Sequence, residues 1–265
     1  MSSKVASTGK RHVVIPDVQH KPGCSTEHLT WAGLHCVDQL PDTIVIIGDW
    51  WDMESLSSYD KGQKSFEGRR YWKDIESGNE ALDAFMAPIV KEVARRKRNK
   101  KKGWDPRLIF TTGNHEYRID RAVEKQAELE TMLSRDHFNL SDYGFEVYDY
   151  LEPVVVDGVA YAHFFTSGVL GRPVSSARTM LTKKFMSCVM GHVQQRDIAF
   201  GTRADGKRIT GIFAGIYYQH DEDYLTPQTN TEQTWSGIWV LNEVNDGAFD
   251  ELPVSINYLR DKYGN

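Results

Sequence analysis

Six short runs along the chain are apolar and rich in β-branched residues. They are VVI (13–15), TIVII (43–47), LIFTT (108–112), VVV (154–156), VAYAHFF (159–165) and SCVM (187–190). Runs of this length and composition predict buried strands. Between them the apolar positions recur every three or four residues, the period of a helix with one face on a core. This holds for 27–40, for 79–97 and for 120–134. Pro88 predicts a kink or break in the second of these helices. Ser175 is placed to cap a fourth helix over SARTMLTKKFM. Strands alternating with helices predict a layered α/β core. The last third changes character. RDIAFGTRADGKRITGIFAGI predicts two strands around an Asp-Gly turn, and the stretch from Thr234 to Leu259 adds at least one more strand and a second Asp-Gly turn. No repeat, low-complexity tract or linker interrupts the chain, so residues 1–265 read as one domain. The polar, turn-rich stretch at about 53–78 reads as an insertion or lid.

Composition narrows the class. Apolar residues make up 40% of the 265, with 7 Trp, 12 Tyr and 11 Phe, enough for a sizeable core and against disorder. No apolar run is long enough to span a bilayer, and the N-terminus lacks an apolar signal region, so the expectation is a soluble, cytoplasmic protein with no membrane partner. Cys24, Cys36 and Cys188 are few and widely spaced, as expected of reduced thiols. The net charge of −5 is not that of a sequence-independent nucleic-acid binder. One segment departs from it, RRKRNKKK at 95–102. It reads as a solvated helix end, where cations are favoured, or as a phosphate-backbone contact; the first reading is preferred.

The polar residues that could carry chemistry gather just after the apolar runs. VVIPDVQH supplies Asp17, Gln19 and His20; IVIIGDWWD supplies Asp49 and Asp52; IFTTGNHEYR supplies Asn114, His115, Glu116 and Arg118. His163 follows YA in AYAHFF, and CVMGHVQQR supplies His192, Gln194 and Arg196. Ligand sites in α/β sheets lie at the carboxyl ends of strands. Asp after a strand is commonly a cap, and a lone buried His is commonly a core residue. Five such ends in a row point instead to a metal centre.

In their order, D-x-Q, GDxxD, GNHE, a lone His after a strand and GHxQ, these motifs resemble the calcineurin-like metallophosphoesterases. That family's usual pattern has His where Gln19 and Gln194 stand here. The resemblance spans about residues 13–194, and more loosely extends to phosphoesterases encoded by bacteriophages, which would place the protein in a host cytoplasm. It implies an α/β fold of two mixed β-sheets sandwiched between helices, four layers in all, with a two-metal centre at the strand ends. It further implies that Asp49 bridges two divalent cations. Asn114, His163 and His192 would complete one site, and Asp17 with Gln19 and Gln194 the other. His115 would face the substrate phosphate as general acid, oriented by Asp52.

Two cations about 3.5–4 Å apart can clamp a phosphoryl group and activate water. The two glutamines fall on the same cation position. Amide oxygen is a neutral, harder donor that suits Mn²⁺, Mg²⁺ or Ca²⁺ more than Zn²⁺, so one tight and one weak site are expected, with Mn²⁺ favoured. Arg118 and Arg196 could neutralise phosphate oxygens or form surface ion pairs. His20 could replace the missing imidazole, contact substrate or lie exposed in its loop, and His220 is a candidate second layer. Trp50 and Trp51 read as core, with stacking on a base as the alternative, and the GRR of 68–70 as a diester contact or a solvated stretch. The expected partner is a phosphate ester, nucleotides and nucleic acid included. The leading function is a phosphodiesterase or nuclease. A phosphomonoesterase is the runner-up, and a degenerate binding protein the third reading.

Overall fold

The structure is a computed structural model and describes residues 9–58, 62, 64–100, 102–220 and 234–264. In chain order the strands are β1 (Lys10–Ile15), β2 (Thr43–Ile46), β3 (Arg107–Thr111), β4 (Glu146–Tyr148), β5 (Val154–Val156), β6 (Val159–Ala162), β7 (Thr166–Ser167), β8 (Arg172–Pro173), β9 (Ser187–Met190), β10 (Arg196–Thr202), β11 (Arg208–Ala214), β12 (Gly237–Asn245) and β13 (Ala248–Ser255). The helices are α1 (Glu27–Gln39), α2 (Tyr71–Arg98), α3 (Arg118–Lys125), α4 (Leu140–Tyr143), α5 (Ala177–Lys184) and α6 (Ile256–Tyr263).

The strands form two mixed sheets flanked by helices. One runs β13-β12-β1-β2-β3-β4 and the other β10-β11-β9-β6-β5, with β7-β8 a separate hairpin. Strands β1 to β4 are mutually parallel, as are β6, β9 and β11; the outer strands join antiparallel. The apolar runs have no polar face because both of their faces are buried. On β1, Val13 and Ile15 pack towards the helices while Val14 faces the second sheet; Ile44 and Ile46 on β2 likewise oppose Val45. Tyr161 and Val189 meet those inner residues from the second sheet, and Ala162 and Met190 turn outward to α5. Helix, sheet, sheet and helix thus stack with three apolar layers between them.

Local chemistry moves several element boundaries. Helix α2 begins at Tyr71, so the last part of the 53–78 stretch is helical; before it come 3-10 turns at Glu54–Leu56 and Lys64–Phe66. The helix runs through Pro88 without ending. Pro88 supplies no N–H to the Ala84 carbonyl, and the Thr30 hydroxyl of α1 donates to that carbonyl instead at 3.4 Å. Helix α3 stops at Lys125 and passes into a 3-10 turn, shorter than the 120–134 period predicts. The cap of α5 is Ser176 rather than Ser175, its hydroxyl accepting from Thr179 N–H. Both Asp-Gly turns join antiparallel neighbours, as expected. In the basic run, Arg95 to Arg98 close α2, and Glu92 pairs with Arg95 and Arg96. Among the described residues no helix is long and apolar enough to cross a membrane, and all three cysteines are free thiols.

Candidate metal centre

The first sheet delivers Asp17 from the end of β1, Asp49 and Asp52 from the end of β2, and Asn114 and His115 from the end of β3. The second delivers His163 after β6 and His192 after β9. Because β1 to β3 are parallel, as are β6 and β9, all five ends open on one edge of the sandwich.

His163 is the hub. Its Nδ1 lies 3.0 Å from the Ile47 carbonyl, so that nitrogen donates and Nε2 is left to accept. Around Nε2 stand Asn114 Oδ1 at 2.9 Å, His192 Nδ1 at 3.2 Å and Asp49 Oδ2 at 3.3 Å. One atom each of Asp49, His163 and His192 lie within 4.8 Å of one another. Lone pairs converging from two imidazoles, a carboxylate and an amide oxygen repel unless a cation, or a proton, sits among them. A backbone carbonyl fixing the far nitrogen of a histidine is the usual support of a metal ligand. The donor set therefore fits a divalent cation. The titration directions agree. Burial opposes charge on Asp49, but His115 and His163 hold its carboxyl well below the usual range. Burial also opposes a proton on His163, but Asp49 raises it to about 9. His192 is pushed down to about 4 by burial and by His163.

Asp17 is wholly buried, and its two oxygens accept the His192 N–H at 3.1 and 3.0 Å. Burial drives its carboxyl upward, His163 opposes this and Asp49 adds to it. Gln19 is buried, with its N–H donating to the Asp49 carbonyl at 2.7 Å; Gln194 flanks Trp235, whose N–H lies 3.4 Å from the Gln194 carbonyl.

His115 stands beside this cluster. Its N–H donates to Asp49 Oδ1 at 2.9 Å, and its Nδ1 lies 2.8 Å from Asp52 Oδ1, an ion-pair contact rather than a well-aligned hydrogen bond. Burial works against a proton on His115, yet Asp49 and Asp52 raise its affinity while Arg118 lowers it. Arg118 donates to the Asp52 carbonyl at 2.7 Å and to His115 Nε2 at 3.0 Å, so it braces the two loops. Arg196 is exposed on β10, its guanidinium 5.2 Å from the Trp235 ring centre. His20 is buried and turned to Ser77 of α2 at 2.9 Å, and His220 stacks on Tyr218. Arg69 pairs with Glu54 at 3.3 Å, and Arg70 is exposed.

Trp50 and Trp51 are fully buried, donating to the Gly78 carbonyl and to Asn79 Oδ1. They are core residues and offer no ring to a ligand. Two features had no role in the sequence reading. The Glu116 carboxylate accepts the N–H groups of Asp49 (3.0 Å), Trp50 (2.7 Å), Trp51 (3.1 Å) and Gly113 (2.8 Å), locking the two motif loops together. Its place in GNHE was visible; its three partners in the Asp49 loop were not, because they lie more than sixty residues away. The second is a stack of Tyr117 on Tyr150, signalled only by the Tyr that follows GNHE.

No family model matches the chain, and no curated protein matches it. Among solved structures the chain is similar to that of YfcE, a phosphoesterase from E. coli. The two are 14% identical with a TM-score of 0.36, over 92% of this chain and 100% of that one.

Proposed function

We propose that the protein is a metal-dependent phosphoester hydrolase with a preference for diesters. The observation that carries the hydrolase reading is the convergence of Asp49, Asn114 and His192 on His163 Nε2, with the His115–Asp52 pair beside it; the diester preference rests on the sequence resemblance. Divalent cations, when bound, would polarise the phosphoryl group and lower the pKa of the attacking water. Asp49, with one oxygen on His115 N–H and the other towards His163, would be the carboxylate that both cations share. His115 keeps a proton through its two neighbouring carboxylates and gives it to the leaving oxygen from Nε2.

The two halves of the centre differ. The half built on His163 has two imidazoles, a carboxylate and an amide. The half expected on Asp17 would draw on the amides of Gln19 and Gln194, and its carboxylate already accepts from the backbone of His192. We read the first as tight and the second as weak, filled by millimolar Mn²⁺ or Mg²⁺.

A panel of bis-p-nitrophenyl phosphate, p-nitrophenyl phosphate and single-stranded DNA tests the reading. Diester turnover that chelation abolishes and Mn²⁺ restores is expected. Turnover of the monoester alone would move the assignment to a phosphomonoesterase, and no turnover with any divalent cation would leave a binding protein.

A further inference from the structure

Four rings form a continuous wall from the surface to the metal centre. Tyr117 stacks on Tyr150 with centroids 4.5 Å apart and planes at 18°. Tyr150 meets Phe164 edge-on at 5.8 Å, and Phe164 lies against the His192 ring at 4.7 Å. Phe164 is buried and belongs to the outer core of the second sheet, and Tyr150 packs on the rim of that core. Tyr117 belongs to none of the three apolar layers. Both tyrosines are half-buried, and among the described residues neither phenol oxygen makes a hydrogen bond to the protein. The wall is close to the chemistry at both ends. Tyr117 stands between His115 and Arg118 in the chain. Burial and the Asp49 carboxylate together raise the Tyr150 phenol to about 12.

A pair of flat, half-buried rings beside a charged site presents aromatic surface next to where a phosphate would sit. It suits a planar group of the substrate. Every nucleobase has a face that stacks on an aromatic ring with little dependence on its hydrogen-bonding edge. Trp50 and Trp51 cannot serve, being sealed in the core.

We infer that Tyr117 and Tyr150 form a stacking subsite that selects phosphate esters carrying a planar ring, nucleotides above all. The inference rests on the phosphoesterase reading for the position of the phosphate, but it is tested by binding. Adenosine 5′-monophosphate and ribose 5-phosphate differ only in the base. Their affinities for the Mn²⁺-loaded protein are measured by calorimetry, for the wild type and for Tyr117→Ala, Tyr117→Phe and Tyr150→Ala. The wild type should prefer the nucleotide. Each alanine variant should weaken the nucleotide by roughly 5–100-fold, the span of one lost base stack, and leave the sugar phosphate unchanged. Tyr117→Phe should keep the preference. Equal affinities in the wild type, or equal weakening of both ligands in Tyr117→Ala, would overturn the subsite. Tyr117 lies outside the apolar layers, so its variant reports even if Tyr150→Ala does not fold. Failure of the hydrolase reading shows separately, as absent turnover with the base preference intact.

Discussion

Four of the candidate site residues, none of them glycine, hold a left-handed backbone: Gln19 (φ 43°), Asp49 (φ 50°), His192 (φ 66°) and Gln194 (φ 62°). Each such residue costs on the order of 1–3 kcal/mol and persists only where its surroundings over-determine it. For Asp49 part of that constraint is visible in Glu116, whose carboxylate takes four backbone N–H groups from both motif loops, that of Asp49 among them. Glu116→Ala would leave those buried donors without a partner. It should cost about 3 kcal/mol or more, read as a shift in the urea midpoint, with Glu116→Gln intermediate because its amide oxygen replaces part of the acceptor. A midpoint unmoved in Glu116→Ala would mean that the loops hold themselves. His115 is a different case, for its proposed role is chemical. His115→Ala should lower turnover roughly 10²–10⁴-fold while calorimetry finds metal affinity retained. Near-normal turnover on a substrate with a poor leaving group would remove it from the role of proton donor.

At the scale of elements, the central strands were legible because their message is simple: β-branched runs buried in the sandwich have no competing reading as exposed loops, whereas the short edge strand β4 and the β7-β8 hairpin carry no such run and were not read. The order of polar residues at the strand ends was legible for the same reason, since parallel strands bring their ends to one edge. What escaped was whatever depends on a partner distant in sequence. Pro88 predicts a kink or break, and α2 does not break there because Thr30 of α1 serves the freed carbonyl and Gly33 leaves room; a Cβ at Gly33 would meet Pro88 Cγ at 2.6 Å. The 120–134 period stops early because the stretch after Lys125 folds into 3-10 turns. Gly191 sits in a turn that depends on having no side chain. A Cβ there would strike Asp17 Oδ1, the carboxylate that receives the His192 N–H. Gly191→Ala should therefore separate the ends of β1 and β9, lowering both the melting temperature and the Mn²⁺ affinity. A loss of stability with metal affinity intact would show that Asp17 does not depend on this approach.

The whole molecule joins its two sheets at one edge through this centre. Asp49 and Asn114 come from one sheet and His163 and His192 from the other, so a cation held by them would bind only the closed sandwich. Ligands that bind only the native state stabilise it, by about 2.7 kcal/mol at a hundred times Kd. Mn²⁺ should accordingly raise the melting temperature, and His163→Ala should abolish the rise. An equal rise in that variant would place the stabilising cation elsewhere.

Acid acts on the opposite, helical side of the first sheet. His28 and His35 lie buried on α1, and burial is the main cause that pushes them down to about 3 and about 4; neighbouring cations or histidines add to it. Neither ring nitrogen of His28 has a hydrogen-bond partner among the described residues. Both side chains are therefore neutral in the native state at pH values where the unfolded chain, with a histidine pKa near 6.5, takes up protons. On these two residues unfolding then binds more protons than the native state holds, and their contribution to stability rises with pH across that interval. That contribution should be full above pH 6.5 and fall progressively as the pH drops towards 3–4. The measurement is the melting temperature against pH with a chelator present, and comparing variant with wild type cancels the titration of Asp17 and His163, which are shifted the other way. His28→Leu keeps an apolar side chain in the same place and removes the ionisable ring, so its acid limb should be shallower than that of the wild type between pH 6.5 and 4. Parallel limbs would mean that His28 becomes charged in the folded protein, which requires water to reach the interface between α1 and the first sheet.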